Sequence, residues 1–256
     1  RHSNKKNKLD ILLIVFAVLG VILIINIFLA FGISQNLKKN IEAAEEAARP
    51  AKIQLTLIKN SKCADCFDAS QYADYVKSSK VEVLSEKTLE FNSSEAKSLI
   101  SKYNIQKIPS ILVTGELDKL NLDGFGKVQD ALVLSQISPP YTDASSGKIK
   151  GRVSLKLIKD ESCSKCDNMG ALIEQISLAG IRLRENKNIS AGSQEGKSLI
   201  AKYKIGFVPT IILSEDAGEY PIIQQAWPSI GTKEKDAYIL RTVYPPFINL
   251  TTSKLR

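Results

Sequence analysis

The stretch EAKSLISKYNIQKIPSIL at residues 95–112 returns as EGKSLIAKYKIGFVPTII at residues 195–212, with ten identities in eighteen positions. The same shift of about 100 residues relates the sequences on both sides of this stretch. DALVLSQISPPY at residues 130–141, for example, matches DAYILRTVYPPF at residues 236–247 after a small insertion. Chance does not produce such a match, so the chain contains a tandem duplication of a unit of about 100 residues, the usual size of one domain.

Each unit has the pattern of alternating strands and helices. In residues 52–59 polar and apolar side chains alternate and an apolar run follows, which predicts a buried strand. Ser93 precedes a helical stripe of Leu99, Ile100 and Tyr103, which predicts an N-capped helix. In the first unit we expect a strand at 52–59, a helix at 67–78, a strand at 81–84, a helix from about 94, a strand at 108–113, a strand near 120–125 and a helix near 127–137. The second unit repeats this order. Such alternation predicts an α/β fold in which a central mixed sheet is flanked by helices.

All four cysteines lie in two C-x-x-C pairs, one per unit, after the first strand and at the start of the predicted first helix: Cys63, Cys66, Cys163 and Cys166. The free N–H groups and the dipole at a helix N-terminus stabilise a thiolate, so the first cysteine of each pair is expected to be the nucleophile. The second cysteine, three residues on, is close enough to resolve a mixed disulfide.

The residues between the cysteines differ in charge. Asp65 disfavours a thiolate at Cys63, and Lys165 favours one in the second pair. We therefore expect Cys163 to be the more reactive thiol.

Three other uses of the cysteines stay open. A Cys₄ zinc site usually has about 15–20 residues between its pairs, whereas 96 residues separate Cys66 from Cys163. A purely structural disulfide over so short a loop stabilises little by loop closure. An ancestral redox pair can also persist in a module that now only binds other proteins.

The composition narrows the function further. The 44% hydrophobic and 24% charged content predicts a folded chain. A single His and a single Met argue against His-rich metal sites and Ser-His-Asp catalysis. The net charge of +8 comes from Lys residues scattered through mixed-sign segments, so we expect a solvated basic surface and no nucleic-acid partner. We predict no bound metal and no cofactor.

An apolar run, LDILLIVFAVLGVILIINIFLAFGI at residues 9–33, precedes the repeats, and only Asp10 and Asn26 interrupt it. A helix of this length spans the ~30 Å hydrocarbon core, so we predict a transmembrane helix. A cleaved signal peptide is the alternative, although its apolar region is usually only ~7–15 residues long. Residues 1–8 are basic and contain no acid, which predicts a cytoplasmic tail and extracytoplasmic repeats. Residues 34–50 are expected to form a helical stem and linker.

The cysteine pair, followed by Tyr103-x-Ile105-x-x-Ile108-Pro109-Ser110, resembles the thioredoxin family, and the second unit, with Tyr203-Lys204-Ile205-Gly206-Phe207-Val208-Pro209-Thr210, resembles it more closely. The resemblance covers residues 51–247. It implies two tandem thioredoxin-like domains, at residues 51–147 and 148–256, similar to the two-unit protein disulfide oxidoreductases.

The resemblance also implies a substrate site. In the family, a cis proline lies beside the dithiol and the adjoining backbone pairs with a substrate strand. Ile108-Pro109 and Val208-Pro209 match that position, so they are the expected substrate-binding residues. The chain departs from the family elsewhere, because it lacks the usual Trp-Cys-Gly-Pro-Cys and has Leu57 and Leu157 where thioredoxin has a buried acid.

Together these features predict a membrane-tethered, extracytoplasmic thiol–disulfide oxidoreductase. Its expected partners are proteins with thiols or disulfides, a redox partner, and the membrane through residues 9–33. The alternative is a non-catalytic thioredoxin-like scaffold that binds proteins at the membrane, and a third hypothesis is a metal carrier that uses the two dithiols. Aligned on the prolines, Lys254-Leu255-Arg256 matches Lys148-Ile149-Lys150, and the sequence starts without Met. We therefore expect a longer protein with a further repeat.

Overall fold

The computed structural model describes residues 3–166, 169–242, 244–252, 254 and 255. The chain forms two compact units, Arg1–Ala51 and Lys52–Arg256. Side chains are described from residue 16 onward, except at residues 30, 33, 34, 36, 167, 168, 243 and 253–256. The predicted tail, residues 1–8, and part of the predicted span, residues 9–33, therefore lie outside the described side chains.

The first unit is built on one long helix, α1 (Ser3–Ala48), which runs through the predicted span and the predicted stem. It ends two residues before Pro50, which cannot continue a helix. The side chains described between residues 16 and 29 are exposed, with Phe16 at 64% and Phe28 at 74%. Over the residues that the structure describes, no helix combines the length and the apolar content needed to cross a membrane.

The first repeat opens with a strand that supports the cysteine loop. Its elements are β1 (Ala51–Lys59), α2 (Ser70–Ser78), β2 (Val81–Glu90), α3 (Ser94–Lys102), β3 (Lys107–Ile108), β4 (Ser110–Gly115), β5 (Phe125–Val128), β6 (Ala131–Leu134), β7 (Tyr141–Asp143) and β8 (Ile149–Lys150). Helix α3 is N-capped as predicted, since the Ser93 side chain accepts a hydrogen bond from the Ala96 N–H.

The second repeat follows the same plan with one added helix. Its elements are β9 (Val153–Lys159), α4 (Gly170–Leu178), β10 (Leu183–Ser190), α5 (Gln194–Tyr203), β11 (Phe207–Val208), β12 (Thr210–Ser214), α6 (Pro221–Ile230), β13 (Gly231–Lys233), β14 (Ala237–Leu240), β15 (Ile248–Asn249) and β16 (Lys254–Leu255). Trp227, on the added helix α6, is buried and packs edge-on against Tyr238.

Within the described residues, each repeat has a five-stranded sheet with the same order, β2-β1-β4-β6-β5 in the first and β10-β9-β12-β14-β13 in the second. Strands β9 and β10 run parallel, and β12 runs antiparallel to both β9 and β14. The structure is thus mixed α/β with sheets flanked by helices, which is consistent with thioredoxin-like domains.

A second, smaller sheet of three strands accompanies each large sheet in the described part of the chain, β3-β7-β8 and β11-β15-β16. Ile108 pairs with Thr142 in the first, and Val208 pairs with Ile248 in the second. The strands that precede the two prolines are therefore already paired within the chain.

The core under α3 in the first repeat and the core under α5 in the second are built from equivalent residues. Its buried members in the first repeat include Ile58, Tyr103, Ile105, Ile108 and Val133. Their counterparts in the second repeat are Ile158, Tyr203, Ile205, Val208 and Ile239. Since the same positions are buried twice, the duplication extends to packing and gives both cysteine loops the same support.

The predicted helix near 127–137 is wrong. This segment belongs to the hairpin of β5 and β6, in which Val128 lies opposite Ala131. The two-residue turn between them places Gln129 at a φ of 53°, a left-handed conformation that hairpin turns of this length use. The turn residues, Gln129 and Asp130, are not one of the Asn-Gly or Asp-Gly pairs that mark short hairpins, so the sequence signal for a hairpin is weak there.

Candidate active site: two dithiol loops

The two cysteine pairs form disulfides, Cys63–Cys66 and Cys163–Cys166, with Cα–Cα distances of 5.4 and 5.5 Å. Each pair lies in a turn that follows the first strand of its repeat. The turn is held by residue 60 or 160, whose carbonyl oxygen accepts a hydrogen bond from the N–H of the first cysteine at 3.0 and 3.2 Å. Both loops therefore share one backbone frame.

The position of the cysteines relative to the helix differs from the prediction. Helix α2 begins at Ser70, four residues after Cys66, and helix α4 begins at Gly170, four residues after Cys166. The N–H of Ser70 donates to the Asp68 carboxylate at 2.9 Å, and this hydrogen bond lowers the pKa of Asp68. The N–H group at the start of α2 thus bonds to an aspartate and not to a cysteine sulfur. The predicted stabilisation of a Cys63 thiolate by the helix N-terminus does not match the arrangement of the first loop.

The Cys63 sulfur instead faces an ion pair. Nε of Arg152 donates to Oδ2 of Asp65 at 3.0 Å, and Nη2 of the same guanidinium also bonds to Oδ1. Sγ of Cys63 lies 3.6 Å from this Nη2 and 3.6 Å from Oδ1 of Asp65. The hydrogen bond from Arg152 lowers the pKa of Asp65 and raises that of Arg152, so both groups are charged at neutral pH. The predicted repulsion by Asp65 is therefore opposed by a cation from the second repeat.

The Cys66 sulfur faces a buried hydroxyl. Sγ lies 3.8 Å from Oγ1 of Thr142, which is fully buried and accepts a hydrogen bond from Nδ2 of Asn60 at 3.0 Å. Because the oxygen of Thr142 already accepts from Asn60, and a disulfide sulfur carries no proton, the threonine O–H is left to point at Cys66. A polar chain of two side chains thus ends at the second sulfur.

The second dithiol has different neighbours at the same positions. Asp160 takes the place of Asn60, and Ile248 takes the place of Thr142, so this amide–hydroxyl chain is not available there. Cys163 is partly exposed, whereas Cys63 is only 8% exposed.

Both predicted prolines follow a cis peptide bond, Ile108-Pro109 and Val208-Pro209, which confirms that expectation. Pro109 and both cysteines of the first pair line one cavity of about 350 Å³, together with Leu57 and Phe67 among others. The first dithiol and its proline are thus neighbours, as predicted. Strand β12 begins at Thr210, opposite Ile158, which matches the pairing of Ser110 with Ile58 and gives the second proline the same place in its sheet.

The residues before these prolines are not open to solvent. Ile108 and Val208 are both 0% exposed, and strands β7 and β15 pair with their backbone. Strands β7 and β15 therefore occupy one edge of β3 and of β11, and the opposite edge of each is not paired with another strand in the described part of the chain.

Sequence reasoning missed three residues of the first site: Asn60, Thr142 and Arg152. The change from Asn60 to Asp160 between aligned positions was a visible signal, and so was the change from Thr142 to Ile248. Arg152 gave no signal, because it is 87 residues from Asp65 in the chain.

Metal binding is the remaining use of these loops. Within the described residues, no group of three or more His, Cys, Asp or Glu side chains is arranged to hold a metal ion.

No protein-family model matches the chain, and no curated protein matches it. Among solved structures, it is similar to a C503A mutant of the alkylhydroperoxide reductase protein AhpF from Enterococcus faecalis V583, with 14% identity, a TM-score of 0.21, and coverage of 70% of this chain and 88% of that one. It is also similar to ERdj5 in crystal form I, with 11% identity, a TM-score of 0.19, and coverage of 73% of this chain and 29% of that one. Similarities at this level assign neither a family nor an activity.

Proposed function

We propose that this chain is a thiol–disulfide oxidoreductase that acts on proteins through two dithiols. The observation that carries the proposal is the placement of both cysteine pairs: each forms a disulfide across three residues in a turn after the first strand of its sheet. In the first repeat this disulfide also lines a cavity with Pro109. A disulfide that closes so short a loop beside a cavity is suited to exchange rather than to long-range stabilisation.

Each round of the proposed exchange involves only the two cysteines of one pair and the two sulfur atoms of the substrate. In the reducing direction, the Cys63 thiolate attacks a substrate disulfide, forms a mixed disulfide and releases one substrate thiolate. The Cys66 thiolate then attacks the Cys63 sulfur, which releases the second substrate thiolate and forms Cys63–Cys66. Two electrons pass to the substrate, whose two thiolates take up protons, and the reverse sequence oxidises a substrate dithiol. Cys163 and Cys166 perform the same steps in the second repeat, and a separate dithiol or disulfide protein resets each pair.

The substrate segment is proposed to dock at Ile108-Pro109 in the first repeat and at Val208-Pro209 in the second. Because β7 and β15 occupy one edge of β3 and β11, the substrate strand is proposed to pair with the opposite edge, at which each small sheet ends. The cavity beside Cys63 and Cys66 is proposed to admit a small side chain of that substrate strand to the first disulfide.

Membrane tethering by residues 9–33, with the repeats on the extracytoplasmic side, is part of the same proposal. The support is the apolar run in α1 and its exposed side chains, together with the basic residues before it. Expressed in cells, the full chain is expected to stay with the membrane pellet after carbonate extraction. A chain starting at residue 35 is expected to be released, and release of the full chain would contradict the tether.

Trapping tests the exchange function. Cys66→Ser and Cys166→Ser remove the resolving thiols, so a mixed disulfide at Cys63 or Cys163 is expected to accumulate and to be visible on non-reducing gels. Cys63→Ser/Cys163→Ser is the matched control and is expected to trap nothing. Insulin reduction by the wild-type chain measures turnover. Absence of both trapped protein and turnover would contradict the proposal.

A binding scaffold is the second candidate, and the full burial of Ile108 and Val208 beside the two prolines favours it. A scaffold is expected to bind its partner equally well when all four cysteines are Ser. An oxidoreductase is expected to lose its trapped partners in that variant.

A further inference from the structure

The first dithiol site draws on both repeats. Arg152 lies at the start of the second repeat, one residue before β9, yet its guanidinium reaches the loop of the first repeat. Phe67, just after the first cysteine pair, also donates its N–H to the carbonyl of Pro140 at 2.7 Å. The junction between the repeats therefore packs directly on the first dithiol.

The backbone that presents Arg152 is held on both sides. The N–H of Gly151 donates to Asp216 at 3.0 Å, and its carbonyl accepts from the Tyr220 hydroxyl at 2.7 Å. Gly151 itself has a φ of 83°, and a Cβ there would lie 2.3 Å from Cβ of Pro139. A side chain at this position would therefore clash, and the two hydrogen bonds of Gly151 hold the backbone next to Arg152.

We propose that Arg152 of the second repeat is part of the first active site, where it offsets the charge of Asp65 and donates a hydrogen bond to the Cys63 thiolate. The proposal rests on the proposed thiol exchange, since a thiolate at Cys63 is the attacking group there. It adds a residue that neither the cysteine motif nor the resemblance to thioredoxins supplies.

The pKa of the Cys63 thiol depends on two opposite charges beside its sulfur. The carboxylate of Asp65 and the guanidinium of Arg152 lie at the same 3.6 Å from the sulfur, so their direct charge effects largely cancel. The guanidinium N–H can also donate to a thiolate, which a carboxylate cannot do. Removal of Arg152 therefore leaves an unopposed anion beside the sulfur, and an opposite or like charge at this distance shifts a pKa by about 1–3 units.

Other charged groups also surround this site. They are Arg182, whose charge acts on Asp65, Lys59 and Asp68, which line the cavity beside the cysteines, and Lys62, which precedes Cys63 in the chain. These groups stay unchanged in the variants below, so they do not account for a difference between parent and variant.

The test measures the pKa of one thiol at a time in the full chain. Cys66→Ser/Cys163→Ser/Cys166→Ser leaves Cys63 as the single thiol, and its iodoacetamide alkylation rate is followed against pH. In this background Arg152→Met is expected to raise the pKa of Cys63 by about one unit or more. Adding Asp65→Asn is expected to lower it again, because the unopposed anion is removed.

Two controls separate this role from a general structural one. Arg152→Lys keeps the charge and is expected to shift the pKa of Cys63 less than Arg152→Met does. In a background with Cys163 as the single thiol, Arg152→Met is expected to leave the pKa of that thiol unchanged. An unchanged pKa of Cys63 in Arg152→Met would overturn the proposal. Equal shifts at both thiols, or no reversal by Asp65→Asn, would overturn it as well.

Alkylation by a small reagent needs no protein substrate. If the chain trapped no partner and reduced no insulin, the proposed function would therefore be refuted, and the effect of Arg152 on the pKa of Cys63 would still hold. If the chain reduced insulin and the pKa of Cys63 did not depend on Arg152, only this inference would be refuted.

Discussion

The two cysteine loops have the same backbone frame but different polar surroundings. Both follow the first strand of a sheet with the same strand order, and both are held by a carbonyl at position 60 or 160. The first loop packs against Arg152, Asp65 and the Asn60–Thr142 pair, whereas the second has Asp160 and Ile248 at two of these places. Duplication thus preserved the packing that positions a disulfide, while the groups that set its chemistry diverged.

The shared frame is tested by truncating the core under each loop. Ile58 and Ile158 are both 0% exposed, so Ile58→Ala and Ile158→Ala are each expected to lower the free energy of unfolding by about 2–5 kcal/mol. Leu84→Ala, at an exposed position, is the control and is expected to change it by no more than about 0.5 kcal/mol. Urea unfolding followed by circular dichroism measures all three. A large loss in one repeat alone would show that the frame is not shared.

The buried hydroxyl of Thr142 is the next largest difference between the sites. Thr142→Val leaves the Asn60 amide without its acceptor and is expected to cost about 1–3 kcal/mol in unfolding free energy. Ile248→Val, the matched change in the second repeat, removes one methyl group and is expected to cost about 0.5–1.5 kcal/mol. Equal losses from the two substitutions, measured by urea unfolding, would contradict a special role for the Asn60–Thr142 pair.

The turns after β7 and β15 differ in their response to acid. Asp143 accepts hydrogen bonds from Ser145 and Ser146, of which the Ser145 hydroxyl contributes most, and these lower its pKa to about 2. The aligned Asn249 accepts from the Thr251 N–H at 2.9 Å and does not titrate. Since the folded pKa of Asp143 is below its unfolded value near 3.9, its stabilisation is complete above about pH 4 and is lost as the pH falls toward about 2.

Asp143→Asn is therefore expected to reduce the unfolding free energy by about 1–2 kcal/mol at pH 7 and to have almost no effect at pH 2. Unfolding curves across this pH range measure the difference between parent and variant. A difference that stays constant from pH 7 to pH 2 would show that Asp143 does not stabilise the turn through its charge.

The Arg152–Asp65 ion pair has the smallest expected effect on stability. Asp65 is about half exposed, so solvent screens the pair, and a double-mutant cycle with Arg152→Met and Asp65→Asn is expected to give a coupling of no more than about 1 kcal/mol. The hydrogen bond from Arg152 lowers the pKa of Asp65, so the coupling is expected to be present above about pH 4 and to disappear below the folded pKa. A coupling that persists in strong acid would contradict this assignment.

Much of the fold was predictable from local patterns. The duplication, the first strands, the N-capped helix after Ser93 and the cis bonds before Pro109 and Pro209 all follow from short segments or from the thioredoxin-like motif. The hairpin of β5 and β6 was missed because its turn uses Gln129 in a left-handed conformation, without a glycine or asparagine to mark it.

The surroundings of the cysteines were much less predictable. The start of α2 at Ser70 depends on Asp68 accepting the first N–H group, and this leaves the sulfurs outside the helix. The contact of Arg152 with Cys63 depends on how the two repeats pack, which spacing within one motif does not report. The charged residue between the cysteines, Asp65, therefore predicted only one of the two charges that lie beside the Cys63 sulfur.

The reduction potential of each cysteine pair tests the central claim most directly. Each pair is measured in the full chain against glutathione redox buffers, with the other pair replaced by Ser. Redox-active dithiols are expected to have potentials in the range of about −120 to −270 mV that protein oxidoreductases span. Potentials below about −300 mV at both pairs, typical of structural disulfides, would contradict a thiol-exchange function.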